Sequence, residues 1–221
     1  LELKNIKLGE LTDEEIVSEV KKGNIDYFAE IVKRYNQRLY RIAVSYGVFD
    51  DDAEEVLQTT YIAAYEKINQ FRGEAKFSTW LIRILINECL MLKRKNQKTQ
   101  NIPEDLVTNL TGDHLNPEKD YMDKERKEIL EKAIQQLPEK YKTVYMLKEV
   151  EGMNIEETSA ALAISKVNVK VRLHRAKSML KNLIKDGTGL STLFTFGNAR
   201  CDKVTESVMN YIKNKEAEKV S

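Results

Sequence analysis

The chain has two cysteines in 221 residues, Cys89 and Cys201, far apart in sequence. That is neither a disulfide framework nor a zinc-binding spacing, and it suits a reducing compartment. Three prolines and nine glycines are too few for the turns of a sandwich or barrel, so helices are favoured. No stretch approaches the ~18 apolar residues of a membrane span. The opening LELKNIKLGELTDEE lacks the apolar core of a signal peptide. The expectation is a cytoplasmic protein with no membrane insertion. A P-loop, a nucleophile–base pair and a metal-ligand cluster are also missing, so no catalysis, cofactor or metal is expected. The net charge of +1 excludes nothing by itself.

What is present is helical periodicity and segregated charge. Apolar residues make up 42% and charged residues 32%, enough for one large or two small soluble domains. Thr12 and Glu15 form a capping box before a short helix that Gly23 can stop. Phe28, Ile31, Val32, Tyr35, Leu39, Ile42 and Ala43 then repeat at helical spacing up to Gly47. Ala53, Val56, Leu57, Thr60, Tyr61, Ala64, Tyr65 and Ile68 form a third face, opened by the acids Asp50–Asp52 against the helix dipole. FRGEAKF breaks the pattern, and Ser78 is placed to cap a fourth helix from about Thr79 to Lys95.

From Thr99 to Asp120 periodicity lapses, and Pro103 and Pro117 mark a linker. As a coil of about 22 residues its typical reach is ~25 Å, and fully stretched it spans ~75 Å. Helical spacing returns at Ile129, Leu130, Ala133, Ile134 and Leu137. Pro138 suits the start of a further helix, which Gly152 closes. A short helix near Ile155–Leu162, a break at Ala163-Ile164-Ser165 and a long helix to about Lys185 complete this half. The fold class is therefore all-α: two helical domains at 1–98 and 121–186, the linker 99–120, and an extension 187–221.

The segment SKVNVKVRLHRAKSML is unusual for a water-facing helix. Seven Lys or Arg lie between Glu157 and Asp186 with no acid among them. With Val169 at zero on a helical wheel, Leu173, Ala176 and Leu180 fall within ~40° at 100° per residue, a core stripe. Val167, Val171 and His174 face the far side beside Asn168, Lys170 and Arg175. A short helix, a three-residue turn and a basic second helix make the helix-turn-helix plan, whose second helix enters the major groove of DNA. Lys and Arg there meet phosphates, Asn meets base edges, and an exposed Val meets a thymine methyl. The alternative, a solvated basic face, leaves the two outward valines without a purpose. His174 has no second ligand or base near it in sequence.

VNVKVRLHRAKSML resembles the last helix of the extracytoplasmic-function (ECF) sigma factors of bacterial RNA polymerase. LEKAIQQLPEKYKTVYMLKEVEGMNIEETSAALAIS matches the segment before it, and DDAEEVLQTTYIAAYEKINQFRGEAKFSTWLIRILINECL resembles the family's first domain. The resemblance implies a promoter-selecting initiation factor that binds core polymerase and promoter DNA. On this reading Asp51, Asp52, Glu54, Glu55 and Gln58 dock core polymerase. The loop residues Phe71, Arg72 and Lys76, with Arg83 and Asn87 on the next helix, address a base flipped from the −10 element. Such capture needs stacking and hydrogen-bonding groups together. Lys93, Arg94 and Lys95 hold phosphates nearby. Lys166, Val167, Asn168, Lys170, Val171, Arg172, His174 and Arg175 contact the −35 element. Ala163 departs from the glycine often found in this turn.

The extension carries Cys201, Val204, Val208 and Tyr211 or Ile212 as a stripe for one short helix, with Phe194 and Phe196 before it. It is expected to pack on its own second domain, with anti-sigma docking or regulation as a secondary role. Two other functions compete. A stand-alone DNA-binding regulator leaves the 52–58 helix and the FRGEAKF loop without a job. A protein-binding adaptor would use the basic helix on an acidic partner.

Overall fold

The computed structural model describes residues 8–99, 121–183 and 198–220, which are entirely helices, short turns and loops. The linker residues 100–120 and the segment with Phe194 and Phe196 lie outside the described residues. The first domain is α1 (Asp13–Lys21), α2 (Phe28–Ser45), α3 (Asp50–Glu66) and α4 (Phe77–Thr99). The second is α5 (Tyr121–Gln135), α6 (Glu139–Tyr145), α7 (Ile155–Leu162) and α8 (Lys166–Leu183), followed by α9 (Asn198–Val220).

Local signals set most boundaries. Thr12 accepts from the Glu15 amide while Glu15 caps the Thr12 amide, so the capping box is formed in full. Gly47, at φ +75°, ends α2 in a conformation that costs glycine nothing. Pro138 stands just before α6 and its carbonyl accepts from Tyr141 and Lys142. One cap differs from expectation. α4 begins at Phe77, so Ser78 lies inside the helix, and the Lys76 carbonyl takes the amides of Thr79 and Trp80.

The apolar stripes read on α2 and α3 are buried throughout, with Phe28, Leu39, Ile42, Leu57 and Tyr61 fully enclosed. They form one core with Phe77, Leu81 and Leu85 of α4. A smaller core joins Leu130, Ile134 and Leu137 to Tyr145, Ala176 and Leu180. Ile129, assigned to the same stripe, is exposed instead.

Two features depart from two bodies on a tether. First, the domains pack together: Leu147, Met153 and Ala161 of the second domain join the first core. After α6 a π-turn over Met146–Val150 is closed by the Glu151 amide on the Met146 carbonyl, and Gly152 turns at φ +65°. That extra residue in the turn directs Glu151 at α2. Arg41 grips its carboxylate with two bonds, at 2.5 and 3.1 Å, and Arg38 Nη2 donates to its carbonyl at 3.3 Å. Second, the described part of the extension, α9, lies on the first domain rather than the second. α9 is a long helix lying on α2 and α3 of the first, with Val204, Val208 and Ile212 fully buried in that core. The first domain supplies the wide apolar groove that this stripe needs.

Candidate nucleic-acid interface and docking face

α7 and α8 form the helix-turn-helix. Asn154 and Glu157 cap α7 reciprocally, and the Asn168 amide donates to Ser165 Oγ at 3.2 Å to cap α8. Between them Ala163 sits at φ 52°, ψ 41°, the left-handed conformation that glycine would take without strain. Ser159 ties the turn down, its hydroxyl donating to the Ile164 carbonyl at 2.5 Å.

The faces of α8 separate as its sequence requires. Val169, Ala176 and Leu180 are buried, with Leu173 half-buried, while Val167 is 69% and Val171 44% exposed. Asn168, Lys170, His174 and Arg175 are exposed beside them, and Arg172 is half-buried. Asn168 Oδ1 accepts from Arg172 Nε at 3.0 Å, and Arg175 donates to the Tyr141 hydroxyl at 3.3 Å. Lys166 pairs with Glu156 at 2.8 Å, which holds that carboxyl below its ordinary range.

In the first domain, the 69–75 loop borders an open concavity. Arg72 stands exposed in the loop, and Arg83 and Asn87 are exposed on α4. Phe71 requires a correction. Its ring is buried edge-on against Phe77 at 5.4 Å and tilted against Trp80, with the Lys21 ammonium on its carbonyl at 2.7 Å. It supports the loop as core, together with Phe77, and offers no open face for a stacked base. Lys76 is exposed but pairs with Glu157 of α7 at 2.7 Å, which lowers that carboxyl's pKa. Lys93 pairs with Glu139 of α6, while Arg94 and Lys95 are exposed. Thus two of the proposed DNA-gripping lysines are held by second-domain carboxylates.

On α3, Asp51, Asp52 and Glu55 are exposed and Gln58 is half-buried. Glu54 differs from these neighbours: it is buried under α9, with Arg200 at 3.1 Å and Lys203 at 2.5 Å on its two oxygens. Sequence reasoning missed Arg200 and Lys203, because a lone cation gives no sign of which distant acid it will meet. Both thiols are raised by burial, Cys89 to about 12, so neither is poised as a thiolate. Among the described residues no cluster of metal-ligating side chains occurs, and no helix is long and apolar enough to cross a membrane.

A helix-turn-helix behind a separate acid-faced helical domain defines a two-part DNA-binding protein, and the comparisons agree on its kind. Residues 31–99 match Sigma-70 region 2 and residues 127–180 match Sigma-70 region 4. The chain is 32% identical over 184 residues to the ECF RNA polymerase sigma-E factor of Haemophilus influenzae, covering 80% of this chain and 97% of that one. It is 30% identical to the ECF sigma factor SigW of Bacillus subtilis, covering 77% and 95%. In fold it resembles CnrH, solved with the cytosolic domain of CnrY, at a TM-score of 0.58 and 24% identity over 78% of this chain and 97% of that one. It also resembles RpoE of Bartonella quintana, solved with the anti-sigma factor NepR, at a TM-score of 0.56 and 21% identity over 76% and 98%. The chain belongs to the ECF subfamily of sigma-70-type RNA polymerase sigma factors. It is an alternative transcription initiation factor, not an enzyme, and its partners are core polymerase and promoter DNA.

Proposed function

We propose that the chain acts in the cytoplasm and divides its work as follows. Asp51, Asp52, Glu54, Glu55 and Gln58 dock core polymerase through domain 1–98. Arg72, Lys76, Arg83 and Asn87, with Lys93, Arg94 and Lys95, engage the −10 element. The outer face of α8, in domain 121–186, reads the −35 duplex. The observation that carries this reading is that face: two exposed valines among Asn168, Lys170 and Arg175, opposite a buried stripe. Water gains nothing from exposed valines on a basic helix, whereas a thymine methyl does. An anti-sigma partner, of the kind that the Bartonella quintana RpoE structure carries, is a secondary reading.

The packing of the two domains supports a switch from a closed to an open form. α7 packs directly on α4. Packed helices lie ~8–10 Å apart, so α8, packed on α7 in turn, stands within ~20 Å of α4. Promoter elements more than one duplex turn (~34 Å) apart exceed that spacing. The closed chain therefore reads one element at a time, and core polymerase opens it by holding the domains apart.

Transcription from a randomised promoter library with purified core polymerase tests the assignment. Lys170→Ala should weaken every −35 sequence alike and lower the salt dependence. Asn168→Ala or Val171→Ala should change the preferred sequence, by about 1–3 kcal/mol per lost base contact. Uniform loss from both kinds of variant would show the roles to be wrong. Labels at exposed Glu74 and Ser178 should move apart when core is added, and an unchanged distance would remove the opening step.

A further inference from the structure

α9 lies against the same helix that the proposed function gives to core polymerase. Its stripe of Val204, Val208 and Ile212 fills the groove between α2 and α3. Its cations are aimed at the acidic edge of α3. Arg200 and Lys203 occupy both carboxylate oxygens of Glu54, and Arg200 lies 3.5 Å from Asp51 and 3.8 Å from Asp50. Gln58 follows Glu54 by four residues, so the two share a stripe of the helix surface. Further along α3, Tyr211 donates to Glu66 at 2.7 Å and Lys215 pairs with the same carboxylate. Behind the stripe, Asn36 of α2 donates to the Cys201 carbonyl at 3.0 Å.

We propose that α9 is an intramolecular occupant of the polymerase-docking face, so that core polymerase must displace the basic edge of α9 to engage α3. The inference rests on the reading of the acidic α3 face as the docking surface. A carboxylate saturated by two cations of its own chain cannot pair with cations of a partner at the same time. α9 offers what a basic partner helix offers, cations over an apolar base. It does so from the same chain, where tethering makes its effective concentration high. Asp52 and Glu55, which are exposed, remain as the first foothold for the incoming polymerase.

Two opposed variants of the full chain test this by equilibrium binding to purified core polymerase. Asn36→Cys places a thiol next to Cys201, whose carbonyl and thiol both meet the Asn36 amide, and a disulfide there requires a Cβ separation of about 3.5–4.5 Å. Oxidation, verified by mass, should hold α9 down and weaken core binding at least tenfold, and reduction of the same sample should restore it. Arg200→Glu with Lys203→Glu should instead repel α9 from α3 and tighten core binding severalfold. Glu55→Lys with Gln58→Ala, made in that second background, probes the docking face itself. If it leaves core affinity unchanged, the docking reading falls and the α9 proposal with it. If it weakens core binding while neither the cross-link nor the charge reversal has any effect, the docking reading stands and the α9 proposal alone is overturned.

Discussion

α3 and α8 are the two helices whose outer faces carry segregated charge, and their own chain treats them differently. The basic face of α8 is met from within its own domain: Lys166 reaches Glu156, Arg175 reaches Tyr141, Lys177 reaches Glu149, and Val167 and Val171 stay open. The acidic edge of α3 is met by a helix from the far end of the sequence, and Glu54 is buried beneath it. The face suited to DNA is left open but held close to the first domain. The face suited to a protein is partly covered. Control of the first is a matter of distance, and control of the second a matter of competition.

The largest expected effect comes from the contact that sets the distance. Glu151 has only 3% of its side chain exposed and faces Arg41 and Arg38. Removing Arg41 leaves this buried carboxylate with the longer Arg38 pair alone, which costs up to about 3 kcal/mol. Arg41→Ala should therefore lower the denaturation midpoint and separate the domains in the free chain. The local structure of α8 should stay unchanged, since its cap and its core stripe lie elsewhere. If the domains separate without loss of stability, the ion pair is not what holds them. If stability falls while the distance between labels at Glu74 and Ser178 holds, the apolar contacts of Leu147, Met153 and Ala161 keep the domains closed by themselves.

Much of this was readable from periodicity, and the unread part has a common cause. The stripes of α2 and α3, the buried and open faces of α8, and the Thr12–Glu15 cap depend on residues within a few turns of each other. Their spacing follows from the helix period and needs no knowledge of distant contacts. The Val204, Val208 and Ile212 stripe is equally local, but a stripe states only that an apolar partner is needed. Which domain supplies the groove depends on what other elements leave uncovered, so the expected packing on the second domain was wrong. Phe71 shows the same limit: an aromatic in a basic loop suits base stacking by composition, yet Phe77 and Trp80 enclose it. The pairings Glu54–Arg200, Glu151–Arg41 and Lys76–Glu157 all join residues distant in sequence, where charge patterning carries no address.

A smaller effect, of opposite sign, is expected within the helix-turn-helix. Ala163 holds a left-handed backbone at φ 52°. That conformation costs an L-residue ~1–2 kcal/mol, while glycine loses ~0.5–1 kcal/mol through its freer unfolded chain. Ala163→Gly should thus stabilise the second domain by roughly 0.5–1 kcal/mol, leaving the caps of α7 and α8 intact. Chemical denaturation measures it. A destabilised variant would mean that the alanine methyl makes a contact worth more than the backbone strain it imposes.

The smallest effect concerns pH and sharpens the contrast between the two charged faces. Glu157 has a lowered pKa, first because Lys76 pairs with it and also because the Asn154 backbone amide donates to it. A carboxylate whose folded pKa lies below its ordinary value of 4.5 contributes stability that is fully present above that value. The contribution is lost as pH falls through the lowered folded value, where the folded form takes up its proton too. Acidification below about 4.5 should therefore loosen the contact between the −10 loop and α7. Lys76 is 69% exposed, so solvent screens the pair, and its share is at most about 0.5 kcal/mol. Lys76→Ala should remove that share at neutral pH and flatten the acid dependence of the interdomain distance, and added salt should erase most of the difference from the parent chain. Other carboxylates titrate in the same window, Glu156 among them, but its pair with Lys166 stays inside the helix-turn-helix and does not cross the domain contact. An acid dependence that is the same with and without Lys76 would assign the loosening to another group.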